Sequence, residues 1–272
     1  MSITQESILD DLENDRLPLP TLPEVAIRVR ETVDDDNVSI RDIADIIITD
    51  AALSARIIQV ANSALYRGMS SADNVHSAVT RMGLNTVRTL ATSLVMKQLF
   101  QATNPVVDKY LRQSWKLSTD IAALSAVIAK SYTRLEPDSA LLAGLTHSIG
   151  IAPILVKAES DPALLNNTEL LDQIIYDIYP AVGAAILKKW DFSPALVMVP
   201  EQHLDLHRDN NGAADYTDIV QVALIETVSG TDHPMGVINA SEIPSFHRIG
   251  MDDNFEEIDM SGGVSEVRDA IL

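Results

Sequence analysis

"SIRDIADIIITDAALSARIIQVANSALY", residues 39–66, decides the fold. Ser39 can accept a hydrogen bond from the start of a helix, and Asp42, three residues on, completes the spacing of a capping box. Ile40, Ile43, Ala44, Ile47 and Ile48 then return at the helical period and predict one apolar face. Asp50 stands where it can cap a second helix, whose apolar stripe is Leu53, Ile57, Val60, Ala61 and Ala64.

The same period extends outward. "NVHSAVTRM", residues 74–82, reads as a short helix stopped by Gly83, and Asn85 can cap "TVRTLATSLVMKQLF", with Val87, Leu90, Ala91, Leu94 and Val95 as its stripe. Further helices are expected near 109–131, 139–149, 168–178, 181–190, 194–206 and 216–229. Strand signals are scarce. The last forty residues, rich in Gly, Pro and Asp, read as loops and short helices, with a final helix near 264–272. The expected fold is an all-α, multi-helix bundle.

Composition agrees. Hydrophobic residues make up 46% of the 272 and aromatics only 4%, so Ala, Leu, Ile and Val carry the core. There is no cysteine, which excludes disulfides and thiolate metal sites. The opening "MSITQESILDDLEND" lacks a signal peptide's basic and apolar regions, and no apolar run approaches the ~18 residues of a membrane span. A cytoplasmic location is expected.

The net charge of −19 argues against general affinity for nucleic acid. It is unevenly spread: residues 51–130 hold 9 basic and 3 acidic side chains, while 131–272 hold 7 basic and 23 acidic. Arg67, Arg81 and Arg88 in the basic middle are candidates for docking an acidic patch of a protein partner. "TRMGLNTVRTL" invites a helix-turn-helix reading, which the overall charge opposes.

Five stretches in order resemble the HDOD family, the HD-related output domain of bacterial signalling proteins. They are "LPTLPEVAIRV" (19–29), "TDAALSARIIQVANSALYRG" (49–68, with Asn62 and Ser63), "SAVTRMGLNTVRTL" (77–90, with Gly83), "GLTHSIG" (144–150) and "VGAAILKKWDFSPAL" (182–196). The resemblance covers roughly 17–206. It implies an HDOD-type domain over 1–206, with an N-terminal helical half to about 108 and an HD-like half over 109–206. Residues 207–272 are expected as an acidic extension packed on the same core.

The resemblance also implies a fold related to HD phosphohydrolases, in which imidazoles and carboxylates hold divalent ions that activate water. At the expected ligand positions this chain departs from the pattern. "WKLS" puts Leu117 where a histidine is common, and His147 is followed by Ser148 instead of Asp. "YPAVG" puts Tyr179 or Pro180 where another histidine often stands, and Ala223–Leu224 replaces a late Ala-Asp. His203 survives. With His147 it leaves two imidazoles where about four ligands are needed, so neither a metal nor another cofactor is expected. A residual ion would need Asp177 or Glu201, or His207, which stands four residues after His203 as if on one helix face. Asn62 and Ser63 are read as shaping a helix end through backbone hydrogen bonds. There is no glycine-rich phosphate loop and no Gly-x-Ser-x-Gly elbow. The reading is a non-catalytic signalling module that binds a protein partner, or a small ligand in the altered pocket. Its rival is a metal-dependent phosphohydrolase with a rearranged site.

Overall fold

The computed structural model describes residues 3–14, 16, 28, 29, 32, 38–49, 51–63, 66, 68, 71–96, 102–210, 212–251, 264, 265 and 268. Among them are helices and turns and no strand. The candidate cap Asp50, the candidate docking residue Arg67 and most of the expected final helix lie outside the described residues. The chain forms two compact units. One is Met1–Pro20 with Leu99–Glu256, and the other is Thr21–Gln98 with Glu257–Leu272.

The second unit holds α2 (Ile40–Ile48), α3 (Ala51–Ala61), α4 (Val75–Met82) and α5 (Leu84–Met96). The capping box at Ser39 forms: its hydroxyl accepts from Asp42 N, and Ser39 N donates to Asp42 Oδ2 at 3.0 Å. Ile43, Ala44 and Ile47 are buried as the period requires, but Ile46 completes the arc and Ile48 is 58% exposed. Leu53, Ile57, Val60, Val79, Val87 and Leu90 are buried in the same unit. Asn74 caps α4, and Gly83, at φ 81°, ends it in a backbone region that disfavours side chains. Helix α5 begins one residue later than Gly83, and Val87 N donates to Gly83 O, so Asn85 sits inside the first turn and is not a cap.

The loop after α3 is organised by Asn62. Its Nδ2 donates to Ala72 O at 2.9 Å and its Oδ1 accepts from Ala72 N at 2.7 Å. Arg81 Nη1 donates to Ala61 O at 2.9 Å and to Asn62 Oδ1 at 3.0 Å, while Ser63 Oγ donates to Val60 O at 2.7 Å. Both polar residues of this corner, and Arg81 with them, are bound to the unit's own backbone.

The first unit is built on α6 (Pro105–Tyr132), α7 (Pro137–Thr146), α8 (Ile151–Ala158), α9 (Pro162–Leu165), α10 (Thr168–Lys189), α11 (Pro194–Gln202), α12 (Tyr216–Val228) and α13 (Pro244–Ile249), with α1 (Gln5–Glu13) on α10. Lys157 pairs with Asp11, and Lys189 Nζ donates to Leu12 O at 2.5 Å, which holds α1 in place. Two helices were expected over 168–190, but α10 runs unbroken through Pro180. Ile178, Tyr179, Val182 and Gly183 are buried around the proline, and packing outweighs the missing N–H. Helix α8 was not expected; Pro153 lies in its first turn, where a proline is tolerated.

Pro137–Ala158 and Thr168–Lys189 are, on length and composition, apolar enough to cross a membrane, contrary to expectation. Within the chain they serve as core: 83% and 50% of their most apolar windows are buried.

The acidic extension expected from 207 begins inside the first unit, which runs on to Glu256. Every residue of α12 from Thr217 to Ile225 is buried, and Asp218 is the centre of a charged cluster. It accepts from Arg208 Nη2 and Arg248 Nη2, each at 2.6 Å, from Asn210 Nδ2 at 2.9 Å and from Ser245 Oγ at 3.1 Å. Burial raises the Asp218 carboxyl, but Arg248 and Arg208 together hold it below the usual carboxylate range. Residues 208–248 are therefore tied into the interior of this unit.

Candidate functional site

Two close backbone approaches place the site. A Cβ on Gly144 would lie 2.5 Å from Ala122 Cα, so α7 meets α6 there without side chains between them. A Cβ on Gly150 would lie 2.1 Å from Tyr179 O, which fixes the turn after α7 against α10. His147 and Ser148, between these two points, face side chains from both helices. Helix α6 presents Tyr110, Gln113, Ser114 and Leu117, and α10 presents Asp172, Ile175, Tyr176 and Tyr179, each set at helical spacing. With Ile151, Leu204, Leu224, His233 and Pro234 they line a cleft of about 410 Å³.

The hydrogen bonds fix the state of both buried imidazoles. His203 is fully buried, and its Nδ1 lies 3.1 Å from Val199 O and 3.0 Å from Pro200 O. Carbonyls only accept, so Nδ1 carries the proton and Nε2 accepts from the Tyr179 hydroxyl at 2.7 Å. His147 Nδ1 lies 2.6 Å from Gly144 O and is a donor for the same reason. Its Nε2 is left as an acceptor, bonded to no other described residue, on a side chain that is 3% exposed and lines the cleft. The two rings meet edge to face, with centroids 5.2 Å apart. Burial pushes His147 down to about 4 and His203 to about 3, so both are neutral at pH 7. Burial also pushes the Tyr179 phenol up. Ser148 Oγ lies 2.7 Å from Ser118 Oγ and 3.3 Å from Ser114 Oγ, forming a chain of hydroxyls behind the imidazole.

Leu117, His147, Ser148, Tyr179 and His203, picked out as ligand positions, thus gather at one place, and Leu224 joins them in the lining. The geometry also decides between Tyr179 and Pro180 in favour of the tyrosine. Other expectations do not hold. Asp177 and Glu201 are exposed and outside the lining, and the carboxylate at the cleft is Asp172, which accepts from Tyr110 Oη at 2.8 Å. Helix α11 ends at Gln202, so His203 and His207 do not share a helix face, and His207 is exposed. Arg81, a candidate for docking a partner, is a separate case: it is half-buried and donates to Ala61 O and Asn62 Oδ1. Arg88 is partly buried on α5. Tyr110, Asp172, Tyr176 and His233 were missed, although the i, i+4, i+7 spacing from Asp172 to Tyr179 was readable once Tyr179 was known to face inward.

The donor set does not suit a catalytic divalent ion. Both nitrogens of His203 are engaged, Leu117 offers no lone pair, and Ser148 is part of a hydroxyl chain. Among the described residues no three His, Cys, Asp or Glu side chains cluster as a metal site.

An all-helical scaffold with a cleft lined by Leu117, His147, Ser148 and Tyr179 defines the class. The HDOD domain family model matches residues 19–206, and the chain belongs to that family. A Shewanella amazonensis SB2B protein, named as a candidate metal-dependent phosphohydrolase, is 33% identical over 98% of both chains, with a TM-score of 0.83. An HDOD domain protein of unknown function from Geobacter sulfurreducens is 22% identical over 98% of both chains, with a TM-score of 0.68. A Marinobacter aquaeolei VT8 protein, named for signal transduction, is 19% identical over 98% of this chain and 63% of its own, with a TM-score of 0.62. An uncharacterized protein of Treponema pallidum (strain Nichols) is 24% identical over 74% of this chain, and the match spans only 39% of that relative's length.

Proposed function

We propose that this protein is a signalling or regulatory output module that works by binding and not by phosphoryl transfer. One observation carries the reading: the Tyr179 hydroxyl donates to His203 Nε2 and so occupies the lone pair that an ion would need there. HDOD membership supplies the signalling context. The output reaches a protein partner, and the cleft modulates it by taking up a small molecule.

The rival reading is a metal-dependent phosphohydrolase, favoured by the name of the Shewanella relative at 33% identity. The two separate on one experiment. Protein purified without chelator is assayed for bound Mg, Mn, Fe and Ni and for phosphodiesterase and nucleotidase turnover with each. The binding reading expects substoichiometric metal and background rates. Stoichiometric metal with turnover lost in His147→Ala would replace it with the enzyme. For the partner, Arg88→Glu and a salt series test whether the basic segment contributes to capture.

A further inference from the structure

We infer that the cleft of the first unit is a receptor for an organic cation: an ammonium group on a flat apolar body. The inference rests on the binding reading above and adds the chemical class of the ligand. It starts from the polar atoms of the lining. His147 is almost wholly buried, yet its Nε2 is an acceptor with no partner among the described residues. That nitrogen opens on the cleft, so it is available to a donor that arrives with a ligand.

The other groups point the same way. Tyr110 spends its proton on Asp172, and Tyr179 spends its proton on His203, so both oxygens face a ligand as acceptors. Among the described residues, Asp172 is the single carboxylate of the lining, and no Lys or Arg lines it to balance the charge. His147 is neutral, and burial also pushes His233 down. Met235 N donates to His233 Nδ1 at 3.2 Å, so the neutral ring offers an Nε2–H donor, and the Gln113 amide and the serine hydroxyls can donate too; none of these is charged.

The walls suit the body of such a ligand. Leu117, Ile151, Ile175 and Leu224 are apolar, and the faces of Tyr110 and Tyr176 attract a cation through their π-systems. A phosphate or carboxylate would meet Asp172 and the tyrosine oxygens with no cation to receive it. About 410 Å³ accommodates a bicyclic aromatic amine.

The test uses three probes of one shape: tryptamine, tryptophol and indoleacetate, titrated calorimetrically into the full chain, with inorganic phosphate as a fourth. Tryptamine is expected to bind most tightly, tryptophol more weakly, and indoleacetate and phosphate not at all. Asp172→Asn, a change at an exposed position, should weaken tryptamine about fivefold and leave tryptophol unchanged. His147→Met should weaken both probes, and circular dichroism confirms that it folds. Absence of tryptamine binding at millimolar concentration overturns the inference. So does binding of indoleacetate or phosphate as tightly as the amine, or a tryptamine affinity that ignores Asp172→Asn. Failure of the binding reading itself would appear separately, as metal-dependent turnover, whatever the probes do.

Discussion

The Asp218 cluster and the His147 cleft lie in the same unit and are built from similar polar side chains, yet they are opposites. In the cluster, the Asp218 carboxylate meets two guanidinium groups, an amide and a hydroxyl, so its own acceptors are used, while Arg208 Nε stays buried without a partner among the described residues. In the cleft, the chain from Pro200 and Val199 through His203 to Tyr179 closes on one side, but His147 ends in an acceptor that no described residue fills. A carboxylate enclosed in this way does its work within the fold. An open acceptor holds a valence for something outside it. The Asn62 corner of the other unit is of the closed kind: the motif residues that mark the family there are occupied with backbone groups.

The comparison can be broken most forcefully at Asp218. Asp218→Ala takes the shared carboxylate from part-buried Arg248 and leaves buried Arg208 with Asp215 alone, and unfolding in urea should show a loss of about 3–5 kcal/mol. A loss below 1 kcal/mol would mean that water already shares the cluster.

Acid comes next. The unfolded chain protonates each imidazole near 6.5, and the folded chain protonates His147 only near 4 and His203 near 3. Between those limits the unfolded state holds more protons, so stability falls as pH drops below 6.5 and the loss is complete below 3. His147 alone contributes on the order of 3 kcal/mol to that loss. His233, also pushed down by burial, adds in the same direction, while Glu226, pushed up by burial, opposes it. Asp11, Asp42, Asp108 and Asp218, all held low, contribute only below their ordinary 3.8. Urea midpoints at pH 7 and 5 should therefore differ, and less so in His147→Met.

The corner offers a smaller test. Asn62→Ala should cost about 1–3 kcal/mol, and a double-mutant cycle with Arg81→Ala should show coupling of about 0.5–3 kcal/mol. Additive effects would show that Arg81 does not share the Asn62 network, and would return it to the candidates for a partner surface. Smallest of all, Tyr179→Phe removes the donor to His203 Nε2 and should cost about 1–2 kcal/mol.

Much of this was legible in the sequence, for identifiable reasons. The caps at Ser39 and Asn74 are local, and their chemistry acts within three residues. The stripe of Leu53, Ile57, Val60 and Ala61 needs only the helical period. Leu117, His147, Ser148 and Tyr179 could be placed together because motif order carried them. Asp172 and Tyr110 could not, since their pairing spans 62 positions and neither stands in a motif. The Asp218 cluster was invisible for the same reason: its arginines lie in loop-like sequence on either side of a helix read only as apolar. Pro180 misled because the local rule for proline was overruled by packing that the sequence does not display.

The Tyr179–His203 hydrogen bond has a consequence for the accessible mutational paths between this site and a metal centre. Placing histidine at 117 and aspartate at 148 would supply two ligands, yet His203 would still give its lone pair to the phenol. Removing the phenol first leaves a buried nitrogen unsatisfied, and adding the ligands first puts a charge in an apolar pocket with no ion to neutralise it. Each single step lies uphill. The bond therefore sets the order of any such change: the phenol must go before His203 has a lone pair for an ion.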